Sequence, residues 1–174
     1  MELTTGIHLI ERGILKSPEP QQWADLGAGD GFFTRALAAV VPKGSSIVAV
    51  DKNSSSFKSI LGTPSHVEVE VRQSDFTSLT WGENFDGILM ANALHYVTDQ
   101  RIFLTKLKAK LSHSGRLLIV EYERRQANPW VPYPIPLGKL QEIGMTAGFS
   151  SVEKLDETSS VYDNVMIYSA CLLQ

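Results

Sequence analysis

Three glycines at alternate positions, Gly27, Gly29 and Gly31, follow Asp25 directly behind the apolar run Trp23 to Leu26. A helical period marked by Phe33, Leu37 and Val40 or Val41 comes next. A strand that bends through such a turn into a helix points to an α/β fold, in which ligands sit beyond the carboxyl ends of the strands. Glycines there let the backbone turn sharply and keep side chains out of a ligand's way. The helix N-terminus beyond offers free N–H groups. The spacing also excludes two other loops. A G-x-G-x-x-G dinucleotide fingerprint starting at Gly27 needs a glycine or small residue at position 32, where Phe32 stands. No Gly-Lys-Ser/Thr follows, so the turn is not a P-loop.

The same alternation runs through the chain. Leu3, Ile7, Ile10 and Ile14 predict an N-terminal amphipathic helix, ended by Ser17-Pro18-Glu19-Pro20. Ile47 to Val50 is a second continuous apolar strand, and Phe57, Ile60 and Leu61 suggest a short helix after it. Val67 to Val71 alternates strictly with glutamates, which predicts one wet face and an outer place in the sheet. Phe85 to Ala91 gives a fourth strand. Thr98-Asp99 caps a helix carrying Leu104, Leu107 and Leu111, closed by Ser114-Gly115. Arg116 to Glu121 gives a fifth strand, and Leu137, Leu140, Ile143 and Ala147 a last helix ending at Gly148. Two strands finish the chain, about Val152 to Thr158 and Val165 to Leu172, and the short polar link between them favours an antiparallel hairpin. The expectation is a doubly wound, Rossmann-like seven-stranded α/β sheet, mostly parallel, with the last strand antiparallel.

A chain of 174 residues suits a single domain over residues 1–174. Its 16 basic and 19 acidic residues, net −3, give no general pull toward nucleic acid or anionic membrane. Cys171 is the only cysteine, so no internal disulfide can form, and it reads as core filler in an apolar strand. No Cys/His cluster has zinc-site spacing, and no metal is expected. The start lacks the layout of a signal peptide, and the longest apolar run, Ala36 to Val41, is far too short to span a membrane. A soluble, cytoplasmic protein is the expectation.

With these residues in place the sequence resembles the class I S-adenosylmethionine-dependent methyltransferases, whose first motif is an acidic residue followed by glycines at alternate positions. Asp25-Leu26-Gly27-Ala28-Gly29-Asp30-Gly31 matches it, and the resemblance covers nearly the whole chain. It implies a cofactor site made of Asp25, Gly27, Ala28, Gly29 and Gly31. Asp51, ending the second strand, would hold the ribose hydroxyls, two hydrogen bonds that a carboxylate accepts well. Asp75 and Phe76 would flank the adenine, Lys52 would border the adenosine, and Asn92 would border the methionine part. The cofactor implied is S-adenosylmethionine, with S-adenosylhomocysteine as product. Asp25, Asp51 and Asp75 also admit plainer roles as loop organisers or caps.

The acceptor side is read from Asn92 to Val97 and from the residues after the fifth strand. His95 is the candidate catalytic base, since its reference pKa lies near neutrality; a packed histidine is the plainer alternative. Tyr96, Tyr122, Arg124 and Trp130 join His95 as candidate acceptor contacts. Arg124 and Arg125 suit a carboxylate or phosphate but also suit solvent. Residues 126–136 hold four prolines, which forbid a helix and predict a stiff extended loop near the acceptor. Trp130 and Tyr133 either wall a pocket or pin that loop. Residues 1–20 are the other available cover. The Asn/Asp-Pro-Pro-Tyr/Phe motif of amino-group methylating relatives is absent after Asn92, and Cys171 is misplaced as a nucleophile. A small-molecule acceptor is therefore expected. A non-catalytic cofactor-binding subunit and an RNA or protein methyltransferase are the competing readings. The chain is short for the family, so either the site is open or a partner subunit, such as the second copy in a homodimer, completes it.

Overall fold

The computed structural model describes residues 1–53, 64, 66–78, 82, 84–160 and 165–174. Within them α1 (Leu3–Glu11) leads to β1 (Gln22–Leu26), α2 (Phe32–Ala38), β2 (Ser46–Asp51), β3 (Glu68–Gln73), β4 (Phe85–Ala91), α3 (Gln100–Lys108), β5 (Leu111–Tyr122), α4 (Leu137–Thr146), β6 (Ser151–Ser159) and β7 (Met166–Leu173). The strands form one seven-stranded sheet in the order β3-β2-β1-β4-β5-β7-β6. β1 to β5 pair in parallel, and β7 runs antiparallel to both β5 and β6. This is the Rossmann-like arrangement expected. The strict alternation of β3 has its explanation in an edge position. The helix anticipated around Phe57, Ile60 and Leu61 lies outside the described residues.

Each face of the sheet carries its own core. Leu9 and Ile10 of α1 and Phe33 and Leu37 of α2 cover one face, over Trp23, Ile47, Leu89 and Leu118. Phe103, Leu104 and Leu107 of α3 and Leu140 of α4 cover the other, over Leu26, Ile88, Met90 and Ile119. Strands covered on both faces read as unbroken apolar runs, which is why β2, β4 and the centre of β5 are recognisable from sequence. Cys171 is buried among them, and burial pushes its thiol up to about 11.

The third helix is shorter than its leucine period suggests. Asp99 caps it, its side chain accepting from the Ile102 N–H at 2.9 Å. It ends at Lys108, and Leu111 opens β5 instead, paired with Phe85. Between the Phe85–Leu111 and Gly87–Arg116 pairs the register shifts, so residues 112–115 form a bulge. Gly115 fits there because a Cβ would lie 2.9 Å from both the Phe85 carbonyl oxygen and the Ser112 nitrogen. Leu111 satisfies a helix period and a strand interior equally, and pairing with β4 decides between them.

Strand order reverses beside β1, whose neighbours are β2 on one side and β4 on the other. Beyond the carboxyl ends of these strands lies the crevice where such sheets bind ligands.

Candidate functional site

The turn after β1 is tied to the end of β2. The N–H groups of Gly27 and Ala28 both donate to the Val50 carbonyl, at 2.8 and 3.0 Å. Gly27, Gly29 and Gly31 all have positive φ, at 77, 56 and 84°, which L side chains rarely adopt. Gly27 is also closed in: a Cβ would meet Ala93 Cβ at 2.5 Å. At Gly29 a Cβ would meet nothing within 4 Å, so this part of the backbone faces open space.

The carboxylates arrange themselves around that loop. Asp51 accepts from the Gly29 N–H through Oδ2 at 2.9 Å and from the Asn53 N–H through Oδ1 at 2.9 Å. It therefore points toward the glycine loop and keeps further lone pairs for other donors. Asp25 is buried; its Oδ2 accepts from Thr34 Oγ1 at 2.6 Å, while Oδ1 has no partner. Burial pushes the Asp25 carboxyl up to about 7, with the Thr34 hydrogen bond pulling the other way and the Asp51 charge adding to the rise. Asp75 is committed locally. It accepts from the Thr77 N–H and hydroxyl at 2.9 and 2.7 Å and pairs with Lys52 at 3.1 Å. Those contacts, the Thr77 hydroxyl first, hold its carboxyl below the usual range. Phe76 is buried and packs at 5.9 Å on Phe103.

Asn92, at the end of β4, is the one non-glycine residue among those described with a positive φ, 52°. Its N–H extends the ladder to Val120 at 2.8 Å, and its buried Oδ1 has no partner. Asparagine tolerates this conformation at modest cost, and such backbone gathers where ligands are handled.

Two hollows meet at Asn92 and Tyr122. One, of about 840 Å³, is lined by Asp25, Gly27, Ala28 and Gly29, with Met1, Glu2 and Thr5 of the N-terminus and Thr158 to Ser160 at the end of β6 closing its sides. The other, of about 490 Å³, brings together His95, Tyr96, Arg124, Asn128, Trp130 and Val131. All five candidate acceptor residues, His95, Tyr96, Tyr122, Arg124 and Trp130, thus border one space. Gly31, Asp51, Lys52, Asp75 and Phe76 border neither hollow, although Asp51 reaches the loop through its bond to the Gly29 N–H. Arg125, His8, His66 and His113 are exposed away from both.

The proline-rich segment both pins and walls. Val131 and Ile135 are buried, and the buried Tyr168 hydroxyl donates to the Ile135 carbonyl at 2.6 Å. The Tyr133 N–H donates to the His95 carbonyl at 3.0 Å, and Gln100 Nε2 to the Tyr133 carbonyl at 2.7 Å. Trp130 is left 78% exposed at the edge of the hollow.

The residue that sequence reading places only at the end of a strand is Glu121. It is 1% exposed and lies 2.8 Å from Nδ1 of the equally buried His95. It also accepts from the His95 and Tyr122 N–H groups at 3.1 and 3.3 Å. His95 stands on a short 3-10 turn, Leu94–Tyr96, and its ring lies 4.3 Å from that of Tyr96. The available signal was an acid closing the strand next to the one that delivers His95.

Fold and hollows together define a Rossmann-like protein with a crevice at the glycine turn and an adjoining second chamber. A family model described as a methyltransferase domain matches residues 24–119, more than half of the chain. Among curated proteins, a ubiquinone/menaquinone biosynthesis C-methyltransferase from Teredinibacter turnerae is 31% identical over 109 residues, covering 59% of this chain and 43% of that protein. The chain spans about half the length of the curated relatives it matches. A Burkholderia thailandensis 1,6-didemethyltoxoflavin-N1-methyltransferase, solved with its namesake compound and S-adenosylhomocysteine bound, superposes with a TM-score of 0.68 at 19% identity, over 99% of this chain and 78% of that one. A SAM-dependent methyltransferase from Aquifex aeolicus gives 0.65 at 19% identity, over 99% and 100%. The chain belongs to the methyltransferase-domain family, among the class I S-adenosylmethionine-dependent methyltransferases.

Proposed function

We propose that this chain is an S-adenosylmethionine-dependent methyltransferase whose acceptor is a small molecule held in the His95 hollow. The observation that carries the reading is the meeting of the two hollows at Asn92 and Tyr122, a border where a donor and an acceptor can touch. The residues present fit the cofactor. Asp25 Oδ1 is buried without a partner, the backbone at Gly29 faces open space, and Asp51 is turned toward that loop. Asp25, Gly27, Ala28, Gly29 and Asp51 would hold it, with Asn92 at its reactive end. When bound, it supplies a methyl on a sulfonium; a nucleophile takes the methyl by direct in-line displacement while the carbon–sulfur electron pair stays on sulfur.

The protein's own part is positioning and exclusion of water. The pinned proline loop and the Trp130 and Tyr96 rings give the acceptor a stiff, partly apolar wall. His95 stands at the same wall and serves as proton acceptor. No helix of the described residues is long and apolar enough to cross a membrane. The similarity to quinone-pathway C-methyltransferases favours a carbon acceptor as the finer reading.

The test is calorimetric titration with S-adenosylmethionine, S-adenosylhomocysteine and NAD in parallel. Binding of the first two and not the third is expected, with affinity falling roughly 10-fold or more in Asp51→Ala, as loss of charged hydrogen bonds of about 1.5–3 kcal/mol implies. Binding of NAD alone would overturn the reading.

A further inference from the structure

The two hollows are lined by opposite charge. Among the described residues around the hollow at the glycine turn, the charged side chains are Glu2, Asp25 and Asp30, all acids. Among those around the other, Arg124 carries a charge that no working pH removes, and none is an aspartate or a glutamate. The two acids that precede Arg124 in the chain are engaged elsewhere. Glu123 accepts from the Leu137 N–H at 2.9 Å, at the start of α4, and Glu121 is buried against His95.

Asn128 adds a second donor to the same wall. Its side-chain oxygen accepts from the Trp130 and Val131 N–H groups at 2.9 and 2.7 Å. Two backbone donors fix that oxygen on the loop side of the amide. What Asn128 has left for the hollow it lines is its NH₂ group.

Resting on the reading above, we propose that Arg124 and Asn128 form an oxyanion subsite in the acceptor hollow, so that the acceptor is a flat molecule carrying a carboxylate or phosphate group. A guanidinium presents five N–H donors in one plane, so Arg124 holds an oxyanion alongside its contacts within the protein. An oxyanion leaving water finds charged and neutral donors there and no carboxylate to repel it. A neutral group in its place would leave those donors unmet. Trp130 and Tyr96 give the flat body of the molecule its aromatic surface. The charges also sort the two ligands: a cationic sulfonium is drawn to the acid-lined hollow and an anion to its neighbour. Of the two arginines that end the fifth strand's run, Arg124 borders the hollow and Arg125 is exposed away from it, which assigns the role to the first.

The test uses three probes of one shape, substituted at the same ring position: naphthoate, naphthyl phosphate and the neutral naphthalenemethanol. Each is titrated calorimetrically into the full chain, with and without saturating S-adenosylhomocysteine. Both anions should bind roughly 10-fold or more tightly than the alcohol, the margin that a charged hydrogen bond gives. The tighter of the two anions tells carboxylate from phosphate. Arg124→Met keeps most of the stem without the charge and should erase the margin, and Arg124→Lys should restore part of it. Asn128→Asp keeps the oxygen that the Trp130 and Val131 N–H groups need but turns a carboxylate toward the hollow, and should also weaken anion binding. Equal binding of the three probes, binding of none, or an undiminished margin in folded Arg124→Met overturns the subsite. Failure of S-adenosylhomocysteine to bind would instead sink the parent reading, which the probe titrations made without it do not touch.

Discussion

At the scale of single residues, Asp25 is where structure and chemistry pull hardest against each other. An acid placed in the interior beside a glycine loop keeps its proton, and burial raises it from 3.8 to about 7. The native state then binds more protons than the unfolded chain between those two values. Stability must fall as pH rises through that window, with about 4 kcal/mol at stake over the full range. Asp25→Asn can still accept from Thr34 and carries no such linkage. Urea unfolding at pH 5 and pH 8 should show the wild type losing stability relative to the variant, which becomes the more stable of the two at pH 8. Parallel curves for the two proteins would mean that Asp25 is ionised in the native state. The residues of the glycine turn were legible beforehand because their spacing is local. Glu121 was not legible as the partner of His95. The two are 26 positions apart, and only the β4–β5 register, Ala91 opposite Val120, brings the strand ends together.

At the scale of elements, the sequence announced its strands more clearly than its helix ends. β1, β2 and β4 are apolar on both faces, and that signal survives without knowledge of neighbours. The end of α3 depends on a pairing between Leu111 and Phe85 that no local pattern contains. The contact between β1 and β4 is equally silent in the sequence and decisive in the fold. Trp23 and Gly87 are register partners, and the buried indole covers the glycine so closely that a Cβ would lie 2.2 Å from its ring. The indole is also fixed by the hydrogen bond from its Nε1 to Gln21 Oε1 at 2.9 Å. It has no room to retreat, so Gly87→Ala should cost about 3 kcal/mol, the upper part of the usual range for overpacking. The control Gly138→Ala sits in α4 with open space around its Cβ and should be stabilising by up to about 1 kcal/mol. Thermal and urea denaturation of both variants checks the pair. A Gly87→Ala protein as stable as wild type would show that β1 and β4 can part without loss.

At the scale of the whole molecule, the hollow at the glycine turn is assembled from opposite ends of the chain. Its floor is the turn after β1, but its sides are Met1, Glu2 and Thr5 at the start of α1 and Thr158 to Ser160 at the end of β6. α1 reaches this position by lying close across α2: a Cβ on Gly6 would fall 2.7 Å from the Phe32 ring. It is further held where the Arg12 guanidinium donates to the Leu155 carbonyl of β6 at 2.5 Å. A ligand filling the hollow therefore touches the first residues of the chain, the glycine turn and the end of β6 at once. Ligand that binds only the native state stabilises it by about 2.7 kcal/mol at 100 times its dissociation constant. S-adenosylhomocysteine at that level should raise the melting temperature by several degrees. Hydrogen exchange should slow not only around residues 27–31 but also in residues 3–6 and 158–160, which lie far apart in sequence. Removing residues 1–5 should weaken binding by about 10-fold while leaving the sheet intact by circular dichroism. Protection confined to the glycine turn, with full affinity in the shortened chain, would mean that the ends of the chain stand clear of the ligand and that the turn binds it unaided.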